Sequence, residues 1–297
     1  MEKRSFKERL KNEYLGQGFA GLCAILIIVI TISIIVFIAS KGIRIFTKDG
    51  YSVTEFLFTN NWKPNKGGEP SFGALAFILG STLVSIGAVV ISAPIAIALA
   101  IFVNVISSKF GKKIIKPSLE VLVGIPSVVY GWVGISVLVP FIKGSFGGMG
   151  FSLIAGILVL SLMILPTIAT LSIDAIKTIP QDHIEASYGL GATRWQTIYR
   201  IIVPGAKSGI LTGVVLGIAR AFGEALAVQM VIGNTVKIPD SITSSMATLT
   251  SIITMDMANT VGGTPWNDAL WTLALILLVI SFIFIVIVRV IEKRSTL

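Results

Sequence analysis

Six apolar stretches, at 19–40, 73–106, 117–142, 151–172, 208–232 and 268–291, dominate this chain, and each is long enough to cross a bilayer as a helix. Within hydrocarbon every backbone N–H and C=O must be satisfied by the spanning structure itself, which leaves helices or closed barrels. The runs are continuous and do not alternate, so the expected fold class is all-α: a polytopic membrane helical bundle of six transmembrane helices. A composition that is 54% hydrophobic and 13% charged, with mean hydropathy +0.89, fits no soluble globule. The first run exceeds twenty residues and lacks a small-x-small cleavage site, so it is expected to stay as a span.

The polar intervals set the orientation. Residues 1–18 are basic and fit an amphipathic surface helix, and 41–72 is too irregular for hydrocarbon and belongs in water, with a turn at Lys66, Gly67 and Gly68. The 73–106 run is too long for one straight crossing, and Pro94 is expected to kink it or to mark a re-entry. Gly124 to Gly131 interrupts the third run near its middle, residues 173–207 form a loop, and 233–267 reads as a polar excursion. Six spans put both termini on one side. Sixteen Lys and Arg fall on that side against seven opposite, so the termini and the 173–207 loop are expected to be cytoplasmic. The same asymmetry accounts for the net charge of +9. A nucleic-acid partner would need a basic soluble face, and no soluble domain is there to carry one.

Other chemistries are excluded by what is missing. Cys23 is alone, and His183 has no Cys or His at ligand spacing, so neither a disulfide nor a metal site is expected. No G-x-x-x-x-G-K-[ST] loop occurs, and Gly205-Ala206-Lys207-Ser208 lacks its first glycine and its setting. No nucleophile, base and oxyanion set is recognisable, so no catalytic residue is assigned.

Two stretches stand out against the apolar background. Glu185 to Pro204 is a polar, aromatic-bearing handle between two spans. Pro180 stops the preceding element, Asp182 is placed to cap a short helix with Glu185 completing a capping-box-like arrangement, and Gly189 and Gly191 turn it. Its periodicity fits a docking surface or an amphipathic helix lying on lipid equally well. The second stretch is Arg220-Ala221-Phe222-Gly223-Glu224, a cation and an anion four residues apart and so one helical turn apart within a span. A charge in hydrocarbon costs roughly 2.5 to 3.5 kcal/mol on the lower scales, which pairing would reduce. Either the two neutralise one another, or they line a solvated path that a polar substrate uses. Gly209, Gly213, Gly217, Ala221 and Ala225 form a small-residue stripe on the same span, which places it inside the bundle.

Glu185, Ala186, Ser187, Gly191, Ile201, Val203 and Pro204 match the E-A-A, three residues, G, nine residues, I-x-L-P loop of ABC importer permeases, with Ser187 and Val203 as departures. Gly124 to Gly131, G-I-P-S-V-V-Y-G, and the run Arg220 to Asn234 narrow the resemblance to phosphate permeases of PstC type, as do Trp62 and Pro64 ahead of Phe72-Gly73. The chain thus resembles the phosphate branch of the binding-protein-dependent permeases (CysTW family) from about residue 73 to its end. The resemblance implies a type I ABC importer permease fold. It divides the chain into a cytoplasmic segment 1–18, a first helix and extracytoplasmic loop 19–72, a permease domain 73–291 with coupling loop 173–207, and a cytoplasmic tail 292–297.

Partners and roles follow from the resemblance too. It implies a PstA-like permease as heterodimer partner, a PstB-like ATPase dimer that binds the ATP and magnesium this chain does not, and a PstS-like phosphate-binding protein outside a bacterial or archaeal cell membrane. It assigns transport to Arg220 and Glu224, and ATPase coupling to Glu185, Ala186, Ser187, Gly191, Ile201 and Pro204. The transport cycle it implies is alternating access. A permease for molybdate, sulfate or phosphonate would share the loop motif, and a phosphate-signalling component would share all three.

Overall fold

The computed structural model describes residues 15–64 and 70–295. Most of the basic segment expected over 1–18, the turn at Lys66 to Gly68 and the end of the 292–297 tail lie outside them. Among the described residues the molecule is helical, with two isolated bridges, Lys63 to Ser71 and Gly233 to Met246. Helix α1 covers Leu15–Gly42, and α2 covers Leu75–Ile106 with a wider, π-wound last turn. A short α3, Lys116–Gly124, precedes α4, Ser127–Phe146, and α5, Leu153–Lys177. Helices α6, Gln181–Gly189, and α7, Arg194–Gly205, make up the loop before α8, Lys207–Gly223. Two short helices follow, α9 at Leu226–Ile232 and α10 at Leu249–Asp256, and α11 runs over Pro265–Ser295.

Five of these helices are long and apolar enough to cross a membrane, and α7 with α8, bent by 65°, supplies a sixth. The six-span all-α bundle is therefore present. The end of the bundle holding Leu15 and Ser295 is called the terminal end below. Helix α5 is its axis: Leu160, Ile164, Ile168 and Ile173 are buried against α2 and α8. Small residues permit the closeness. A Cβ at Gly213 would come within 3.2 Å of Leu171 and one at Gly217 within 2.7 Å of Ile168, so the glycines of the stripe are the seam with α5, while Ala225, its last expected member, lies beyond the end of α8 at Gly223.

Several expectations change in detail. Helix α2 runs through Pro94 without a break. The third run is split: Pro126 lacks an N–H and drives Ile125 into extended geometry, so α3 ends and the crossing helix begins only at Ser127. The fifth run is not one helix, because the chain leaves α8 after Gly223. The 233–267 segment is not wholly an aqueous excursion either, since Met246, Ala247 and Leu249 are fully buried within the bundle. The described residues of the 41–72 loop fold into a cap at the opposite end, where Trp62 meets Phe72 and Phe77 edge-on at 5.4 and 5.2 Å.

Candidate functional site

Arg220 lies thirteen residues into α8, which is about 20 Å along the axis from Lys207 and deep in the bundle. Its Nη1 donates to the Thr167 hydroxyl on α5 at 2.9 Å. Among the described residues neither Arg220 nor Glu224 makes an ion pair. Their mutual neutralisation, one of the two alternatives, is thus absent among the described residues, and the reason is local. Glu224 has extended backbone and ends α8, so its side chain leaves the face that Arg220 occupies. Its Oε1 instead accepts the Ala227 N–H at 3.1 Å, capping α9. The freed Glu224 carbonyl accepts the Thr250 hydroxyl at 2.9 Å, so a break inside the bundle leaves no orphan there.

The two charged groups therefore face different surroundings. Thr167, the partner of Arg220, lines an open hollow of about 330 Å³ with Glu120, Val123, Thr170 and Leu171. Tyr130 stands within electrostatic reach of Arg220. Glu224 borders a small polar cleft of about 10 Å³ with Ser81, Ser85, Thr248 and Thr250, room for about one water. Helix α10 forms one wall of this cleft: Leu249 N–H donates to the Ser81 hydroxyl at 2.9 Å, and Thr248 caps the helix in a reciprocal arrangement with Ser251. Thr167 and the four hydroxyls were missed in sequence. The available signal was Ser81, Ser85 and Thr167 within long apolar runs, the first two one turn apart on α2; Thr248 and Thr250 lie in the polar 233–267 segment and gave no such signal.

The two sequence runs that stand out in the membrane also meet. A Cβ on Gly131 would sit 3.1 Å from the Ala227 Cα and 2.6 Å from the Met230 sulfur, so G-I-P-S-V-V-Y-G packs directly against the stretch after Glu224. Gly233 and Asn234 at its end both adopt positive φ, forming the left-handed stop of α9.

At the terminal end, Glu185 and Ala186 are exposed on α6, Ser187 is buried, and Gly191 takes φ +79° after the helix stops. The expected capping by Asp182 is not formed: the cap position is Pro180, and Asp182 lies within the first turn, where its charge suits the helix dipole. The capping box of this loop is Thr193 with Gln196, at the start of α7. Ile201 is half-buried in α7 and Pro204 is exposed near its end. Leu190 is 90% exposed, and Trp195 and Tyr199 are each 69% exposed, an apolar set on an otherwise polar loop. Among the described residues no group of three or more His, Cys, Asp or Glu could hold a metal ion.

A family model for the binding-protein-dependent transport system inner membrane component matches residues 92–296. The chain belongs to this family. The permease is 48% identical over 291 residues to the probable ABC transporter permease protein YqgH of Bacillus subtilis, covering 98% of this chain and 94% of that one. It is 32% identical to the phosphate transport system permease protein PstC of Mesorhizobium japonicum, covering 91% and 87%. Its fold is shared with a bacterial alginate ABC transporter crystallised with a pentasaccharide-bound periplasmic protein, at TM-score 0.67, 15% identity and 99% coverage of both chains. The chain is accordingly a multi-pass membrane permease component of an ABC importer, within the phosphate-transport permease group, and its relatives are transport subunits.

Proposed function

We propose that this permease carries inorganic phosphate inward by alternating access, as one half of a heterodimer with a PstA-like chain. A PstB-like ATPase dimer binds ATP and magnesium, and a PstS-like protein delivers phosphate from outside. The terminal end is cytoplasmic, in keeping with the Lys and Arg bias. The docking surface comprises Glu185, Ala186, Ser187 and Gly191 with Ile201 and Pro204, and the exposed Leu190, Trp195 and Tyr199 supply the apolar area a partner would cover.

The observation that carries this reading is Arg220. A guanidinium deep in a membrane bundle, whose side-chain hydrogen bond among the described residues goes to a neutral hydroxyl beside an open hollow, has further planar donors for an oxyanion. Glu224 lines the cleft on the other side of the helix break, where its negative charge keeps anion binding weak enough for release. In the reconstituted assembly, Arg220→Gln abolishes uptake of labelled phosphate while the subunits still co-purify. Normal uptake by that variant would remove Arg220 from the path.

A further inference from the structure

We propose that Arg194 is the positioning residue that carries movement of the docking surface into α2. This rests on the reading of α6 and α7 as the ATPase-facing surface. Helix α7 lies across the terminal end as a lever. Ile198 and Ile202 bury it against the bundle core, and at Ala206 it turns by 65° into α8, which bears Arg220. Its free end is made rigid by the Thr193 and Gln196 capping box. It is tied to α6 by a buried hydroxyl pair, Ser187 to Thr197, at 3.0 Å. The loop motif's departure from alanine at Ser187 therefore provides one of these links.

From that free end Arg194 reaches the last turn of α2. Its Nη2 donates to the carbonyls of Val105 and of Ile106, the latter at 3.1 Å. These are carbonyls that a helix leaves without partners at its C-terminus, where a cation is also favoured by the dipole. Among the described residues they are the only side-chain hydrogen bonds from residues 181–205 to α2. The neighbouring Asn104 passes the link on, donating to Ile173 O at 2.9 Å on the terminal end of α5. Asp174, the next residue on α5, pairs with Lys116 of α3 at 3.1 Å. A displacement of α6 thus has a continuous polar route to α2, α5 and α3, and a covalent one through the Ala206 elbow to α8.

Arg194 is itself exposed, so its removal leaves the two carbonyls to water and does not bury an unpaired group. The variant is expected to fold, which makes the link testable apart from stability. The assembly of both permeases, the ATPase and the binding protein is placed in lipid vesicles. Labelled phosphate, sulfate and molybdate are each offered, and uptake and ATP hydrolysis are read in one preparation. Which oxyanion moves tests the substrate; the uptake per ATP tests Arg194. Arg194→Ala should lower uptake per ATP about tenfold with hydrolysis and melting temperature unchanged, and Arg194→Lys, which still donates to a carbonyl, should recover part of it. An unchanged ratio in Arg194→Ala would overturn the proposal, as would uptake, hydrolysis and melting temperature falling together.

Discussion

Asp256 closes α10 with its carboxyl half-buried in the cap. Burial, the larger effect, holds it above the ordinary 3.8, while the indole N–H groups of Trp62 and Trp266 draw it part of the way back. Those indoles face the carboxyl at a geometry short of a full hydrogen bond, so they compensate the burial incompletely. The folded cap therefore binds the proton more tightly than the unfolded chain does. Acidification into the range above 3.8 stabilises it, and neutral pH carries the full penalty. Asp256→Asn should raise the unfolding temperature at neutral pH and remove this part of the acid stabilisation. A variant with the wild-type pH profile would contradict that. Trp62 was legible in sequence only as part of a motif; its work on Asp256 was not, since the partners are far apart in the chain. Arg220 and Glu224 illustrate the opposite failure. Their spacing is helical, but Thr250 and Ala227 satisfy a helix break that no local pattern announces.

Among the helices, long apolar runs fixed where crossings occur, because burying backbone in lipid leaves little choice. What they could not fix was continuity. Pro126 splits α3 from α4 as proline chemistry dictates, whereas Pro94 is accommodated inside α2. The short α10 falls within the segment read as a polar excursion; in the structure Thr248 and Ser251 cap its start, and Thr248 and Thr250 line the cleft at Glu224. The glycine stripe was read correctly as a close-packing seam, and it yields a sharp test. A Cβ on Gly209 would collide with the Ala175 Cβ, which is too short to rotate away. Gly209→Ala should therefore destabilise the folded chain by about 1 to 3 kcal/mol. Gly205→Ala, whose Cβ would meet Ile179 at an ordinary 3.6 Å, should be nearly silent. Equal melting temperatures for the two variants in detergent would argue against the seam.

The whole molecule leaves one flank of its bundle largely uncovered. Helix α1 is apolar on every side, touches α11 through Phe37 on Trp271 and Gly42 on Leu275, and leaves most of its surface to lipid or to a second chain. The exposed Leu190, Trp195 and Tyr199 sit at the end of the bundle that carries the termini. A charged path, an apolar flank and a docking surface at one end belong to the function proposed above, and the phosphate assignment is the most specific part of that proposal. It is tested most directly by ATP-dependent uptake of labelled phosphate into vesicles holding the complete assembly, with sulfate and molybdate as competitors. Uptake that needs ATP and yields only to unlabelled phosphate is the predicted result. Uptake suppressed by sulfate or molybdate instead would contradict phosphate as the substrate.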